Sequence, residues 1–181
     1  RRLDSRTLSI IKSEITRITN TFISDYDVLN TFCPKEDEIN FCGFESLIKE
    51  NKIVVLNMNI AKYKNLSKII AAYLKLDFQS EVLIQLSNKK SISPTVFMCD
   101  EYHEYVTLSD SDFFAQSREA KCINIVATQS YTSLLNTLKD ESSVKVILQN
   151  LVNKIWLRTD DILTIESAQK KIGREDKIKY S

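Results

Sequence analysis

Leu8, Ile11, Ile15, Ile18 and Phe22 recur at helical spacing and predict an amphipathic helix over 6–22. Between 25 and 43 that period is lost, and Asp25, Asn30, Pro34, Asp37 and Gly43 punctuate an irregular connection. A short helix over 44–50 leads into IVVLNMNI at 53–60, a β-branched apolar run of buried-strand length. From about Lys64 to Ser87 a long helix is expected, because Leu66, Ile69, Ile70, Tyr73, Leu74, Phe78 and Leu83 follow one another without a breaker. TVFMCDE at 95–101 is a second strand. A helix over 109–121 follows, opened by Ser109 or Asp110 as cap. INIVATQ at 123–129 is a third strand and NKIWLRT at 153–159 a fourth, with helices over 130–139 and 141–150 between them. A last helix over about 164–172 stops at Gly173.

Strands that are near-continuous apolar runs, separated by helices, predict an α/β fold with a three-layer, mostly parallel sheet covered on both faces. Ligands of such sheets bind beyond the carboxyl ends of the strands. Asp100 and Glu101 stand at one such end, Gln129 at the next and Arg158 at the one after. The first three strands are expected to be neighbours, with 95–101 central.

Composition narrows this picture only a little. The chain has 181 residues, 43% of them hydrophobic and 27% charged, which suits one packed domain with a small appendage. Net charge is +1 and the lysine pairs are scattered, so there is no strong nucleic-acid signal. Four cysteines without a C-x-x-C pair, and a single histidine, leave little material for a zinc site and favour a reduced, cytoplasmic setting. No stretch approaches the roughly 20 apolar residues that span a bilayer. The chain opens on Arg1-Arg2 rather than Met and reads as a piece of something longer.

An apolar strand closed by Asp-Glu is the Walker B pattern. Such an aspartate holds magnesium through its water shell, and such a glutamate orients and polarises an attacking water. On its own the pair is weakly specific, since many strands end in acids. It is joined here by FFAQSREAKCINIVATQSYTSLL, then by LVNKIWLRTDDILTIESAQKKIG, with KIVVLNMN and LKLDFQSEVL upstream. Together these segments resemble the conjugative coupling proteins of type IV secretion systems, the TraD/TraG group of hexameric motor ATPases in the FtsK/HerA superfamily.

The resemblance implies a partial RecA-like, FtsK/HerA-like P-loop ATPase domain. Residues 1–24 would be the tail of an inserted helical lobe, and 25–181 the C-terminal part of the ATPase domain from Walker B onward. Asp100 resembles the magnesium-side aspartate and Glu101 the catalytic glutamate. Gln129 resembles the polar sensor of the γ-phosphate, although it also suits a cap for the helix beginning at Ser130. Arg118 is similar in position to the arginine that such motors push into a neighbouring subunit, against the plainer reading of a solvated helical arginine.

ATP and magnesium would be used by the parent protein, with none bound tightly by this segment. The chain holds only Gly43 and Gly173, and no G-x-x-x-x-G-K-S/T P-loop. The implied partners are neighbouring hexamer subunits, a relaxase–DNA substrate complex and components of the secretion channel. The segment would lie on the cytoplasmic side of the membrane that anchors the parent. Alternatives are another DNA-pumping or protein-secretion motor of the superfamily, or a non-catalytic assembly module with the same half-sheet. His103 is expected on the surface of the turn after the strand, and Arg158 to be structural.

Overall fold

The computed structural model describes residues 4–87 and 93–173. In chain order the helices are α1 (Ser5–Ile23), α2 (Tyr26–Phe32), α3 (Phe44–Lys49), α4 (Ile60–Tyr63) and α5 (Asn65–Ser87). Strand β1 (Thr95–Cys99), helix α6 (Asp110–Ser117), strand β2 (Cys122–Val126) and helices α7 (Tyr131–Leu138), α8 (Glu141–Asn150) and α9 (Ile162–Ile172) complete the order. The fold is α/β, with a two-stranded parallel sheet. It divides into two units, one running through Gly43 and taking in Leu56–Ile70, the other made of Phe44–Val55 and the chain from Ala71 onward.

In the first unit α1 is opened by Asp4, whose Oδ1 accepts the Thr7 backbone N–H at 2.9 Å. The expected stripe on α1 is present, but Leu8, Ile11, Ile15 and Ile18 are all exposed. A helix also forms inside the stretch read as irregular. The Asp25 carboxylate accepts the N–H groups of Asp27 and Val28, caps α2 and lets Val28 turn into the interior. The punctuating residue was therefore a helix start. Val28, Leu66 and Ile70 are the buried apolar residues of this unit.

The second unit holds the sheet. Its strands pair in parallel with Thr95 opposite Cys122 and Cys99 opposite Val126, joined by the crossover through α6. Pleating sends alternate side chains to opposite faces. Phe97, Cys99, Cys122 and Val126 face a core built on Val82 of α5, Phe113 and Phe114 of α6, Leu134 of α7, and Val144 and Ile147 of α8. Phe78 lies between Phe44 and Phe97, at 5.5 and 6.0 Å between ring centroids. Cys99 and Cys122 are core thiols. Burial pushes Cys99 up to about 11 and raises Cys122 as well, which keeps both protonated.

The other face of the sheet departs from expectation. Val96, Met98, Ile123 and Ile125 are 46–71% exposed, so the helical layer lies on one face only among the described residues. The runs 53–60 and 153–159 are not strands. Ile53, Val55, Ile155 and Leu157 are 82–91% exposed. A strand needs a neighbour for its backbone N–H and C=O groups. No strand lies in ladder with 53–60 among the described residues, so its backbone groups lack that neighbour. Beyond β2 no further strand is present among the described residues to bridge the sheet to 153–159.

Candidate functional site

Both strands end earlier than their apolar patterns suggested. β1 stops at Cys99, Asp100 begins a turn, and Glu101 adopts a left-handed backbone (φ 47°, ψ 42°). The strand ends stay joined past the sheet proper, because the Ala127 N–H donates to Cys99 O at 2.9 Å and the Tyr102 N–H to Ala127 O at 2.8 Å. These two bonds place the residues after β1 beside those after β2. Gln129 Nε2 lies 3.4 and 3.2 Å from the two carboxylate oxygens of Glu101 and donates to them. Asp100 is exposed next to this pair, and its Oδ1 accepts the Glu101 N–H at 2.9 Å.

Asp100, Glu101 and Gln129 are thus gathered on the carboxyl edge of the sheet. Gln129 is not a helix cap, since Ser130 takes that role by accepting the Ser133 N–H through its hydroxyl. Arg118 is not part of this cluster. It closes α6 just before β2 begins, exposed at the opposite, amino-terminal edge. Arg158 lies exposed at a bend in the irregular segment before α9.

His103 is a correction. It does sit on the turn after β1, within the 3-10 turn Tyr102–Glu104, but it is 8% exposed rather than a surface residue. Its Nδ1 is 3.3 Å from Thr128 Oγ1 and 3.4 Å from Glu101 Oε2, and its Nε2 is 3.6 Å from Glu104 Oε1. The turn has no room to swing outward, because its first residue, Tyr102, is wholly buried in the core.

Beneath the turn is a polar cluster that the sequence reading missed. Asp110, noted only as a possible cap, is fully buried. Its carboxylate accepts from Lys75 Nζ at 2.6 Å, Tyr102 Oη at 2.6 Å, Gln79 Nε2 at 3.1 Å, and the Thr107 N–H and hydroxyl at 3.1 and 3.0 Å. Lys75 also donates to Tyr105 O at 2.7 Å. Burial lowers the Lys75 ammonium from its ordinary value, with Asp110 opposing the shift. Burial, then Asp110, pushes the Tyr102 phenol well above the usual tyrosine range, so it stays a donor. The usable signal lay in α5. Lys75 and Gln79 fall four residues apart on the face that carries the buried Val82, where a lysine is out of place unless paired.

Among the described residues no group of three His, Cys, Asp or Glu side chains is disposed to hold a metal ion. No helix of the described residues is long and apolar enough to cross a membrane. Neither protein-family models, nor curated proteins, nor solved structures give a match to this chain.

Proposed function

We propose that the chain is the Walker B-to-sensor part of a motor ATPase of the coupling-protein type, with a FtsK/HerA-like, RecA-like domain as its finer fold. The observation that carries this reading is the Glu101–Gln129 contact at 3.2 Å, made across the carboxyl ends of two adjacent parallel strands with Asp100 alongside. A nucleotide-hydrolysing site needs an acid to polarise water and a neutral polar group in reach of the terminal phosphate. Both are supplied here from neighbouring strands, and the buried Asp110 cluster holds the turn that carries the acid.

In this reading Asp100 would hold magnesium through its water shell, Glu101 would orient and polarise the attacking water, and Gln129 would reach the γ-phosphate. The metal bound with the nucleotide would supply charge neutralisation at the phosphate oxygens. The opposite-edge position of Arg118 suits a group that serves a neighbouring subunit of a hexamer rather than its own site. The wider assignments rest on the resemblance: a membrane-anchored parent, delivery of relaxase–DNA or protein substrates into a secretion channel, and a cytoplasmic location. A second reading, a non-catalytic assembly module, is favoured by the open apolar face of Val96, Met98, Ile123 and Ile125.

Glu101→Gln in the full-length protein separates the two. The change keeps shape and removes the carboxylate, so turnover should fall by at least about 100-fold with nucleotide binding retained. Near-normal phosphate release by that variant would take Glu101 out of catalysis, and no turnover by the unaltered protein would leave the assembly reading.

A further inference from the structure

We propose that His103 is a positioning residue that, together with Gln129, holds the Glu101 carboxylate over the junction of the two strand ends. The proposal rests on the reading of Glu101 given above. Its basis is the placement of a buried imidazole whose two nitrogens face two carboxylates, with Glu101 Oε2 at 3.4 Å and Glu104 Oε1 at 3.6 Å. A histidine kept only to fill the core is satisfied by one polar partner. This ring instead reaches from the turn after β1 to Thr128 in the segment after β2, at 3.3 Å.

Glu101 has the freedom that such a clamp restricts. Its side chain is 45% exposed, and its three rotatable bonds would otherwise sample many positions. Gln129 approaches the carboxylate from the β2 side and donates to both oxygens, while the His103 ring stands at one of them. Nδ1 has Thr128 as its hydrogen-bond partner, and the carboxylates of Glu101 and Glu104 stand within 4 Å of the two ring nitrogens. The turn that carries the ring is anchored through Tyr102, whose hydroxyl lies 2.6 Å from the buried Asp110, and the ring itself is buried against Thr128. The imidazole thereby limits where the acid can go.

The test compares two replacements of His103 in the full-length protein. His103→Leu fills the volume without a donor, and His103→Asn restores a donor near the Nδ1 position. His103→Leu should lower kcat about tenfold with KM unchanged, as loss of an outer orienting partner typically does, and His103→Asn should recover most of the loss. In a Glu101→Gln background neither change should cost anything more. Equal kcat for His103→Leu, His103→Asn and the parent, with Glu101→Gln still inactive, overturns the proposal alone. Full turnover by Glu101→Gln overturns the site reading and this proposal with it. A readout free of activity and of His103 replacement is the imidazole ¹⁵N spectrum of this chain. The Nδ1 resonance should move in Glu101→Gln, and an unmoved resonance also overturns the contact.

Discussion

Asp110 and the pair Asp100-Glu101 lie on the same excursion between β1 and β2, in opposite surroundings. Asp110 is fully buried and accepts from Lys75, Gln79, Tyr102 and Thr107. Asp100 is exposed, and the half-exposed Glu101 meets the amide of Gln129 and the edge of His103. A buried carboxylate is tolerable only when its lone pairs are filled, and filling them here ties α5, the 3-10 turn and α6 into one arrangement. An acid meant to meet water or a phosphate has to keep lone pairs free. One acid shapes the loop, and the other two stand at its more open side.

The strongest way to break this comparison is Asp110→Ala. It leaves the Lys75 ammonium buried without its counter-charge and should cost about 3–5 kcal/mol, enough to threaten the fold. Converting both partners to apolar residues, Lys75→Met with Asp110→Leu, should cost much less than the single change, because no charge is stranded. Asp100→Ala should fall within about 0.5 kcal/mol of the parent. Denaturant midpoints give all three. Equal costs for Asp110→Ala and Asp100→Ala would erase the distinction between the two regions.

A smaller effect is expected from Tyr102→Phe, which keeps the ring in the core and removes one donor to a buried carboxylate. The cost should be about 1.5–3 kcal/mol. It carries a pH signature. The phenol is raised from 10.0 by burial and by Asp110, so the folded state holds its proton at a pH where the unfolded chain releases it. Stability from this group is complete below about pH 10 and declines as pH rises further. Thermal melts from pH 8 to 11 should show a shallower alkaline loss in Tyr102→Phe than in the parent. Matching slopes would mean that Tyr102 is not protected by its surroundings.

The same contrast explains what could be read from the sequence. The convergence of Asp100, Glu101 and Gln129 was legible because it follows from two local facts, apolar runs that become parallel strands and the rule that polar residues gather at their carboxyl ends. The pairs Thr95–Cys122 through Cys99–Val126 bear out the two strands that carry those residues. The runs 53–60 and 153–159 have the same composition and did not become strands, because pairing depends on a neighbour that periodicity does not reveal. The Asp110 cluster stayed hidden for a related reason. A lysine on the apolar face of α5 signals that a partner is needed, but that partner is 35 residues away and nothing local identifies it. His103 was misplaced for want of the same information, since its burial comes from Tyr102 beside it being drawn into the core. Distant contacts decide which polar residues are structural.

A small effect is also expected from Glu101→Gly, and its sign is informative. Glu101 holds a left-handed backbone, at φ 47° and ψ 42°, which costs an L-residue about 1–2 kcal/mol and glycine almost nothing. Against that gain stand the greater freedom of glycine in the unfolded chain, about 0.5–1 kcal/mol, and the loss of half-exposed contacts to Gln129 and His103, about 0.5 kcal/mol. The terms nearly cancel. The variant should lie within about 1 kcal/mol of the parent, on either side but closer to stabilising than any change at Asp110. Urea midpoints measured beside Asp110→Ala decide it. A loss above about 2 kcal/mol would show that the Glu101 side chain is part of the scaffold. A neutral result would mean that the fold retains a strained, charged residue at a position where glycine serves stability equally well. Lys121 and Lys139 hold a similar backbone, at φ 55° and 54°, so the strain at Glu101 fits the proposed role without establishing it.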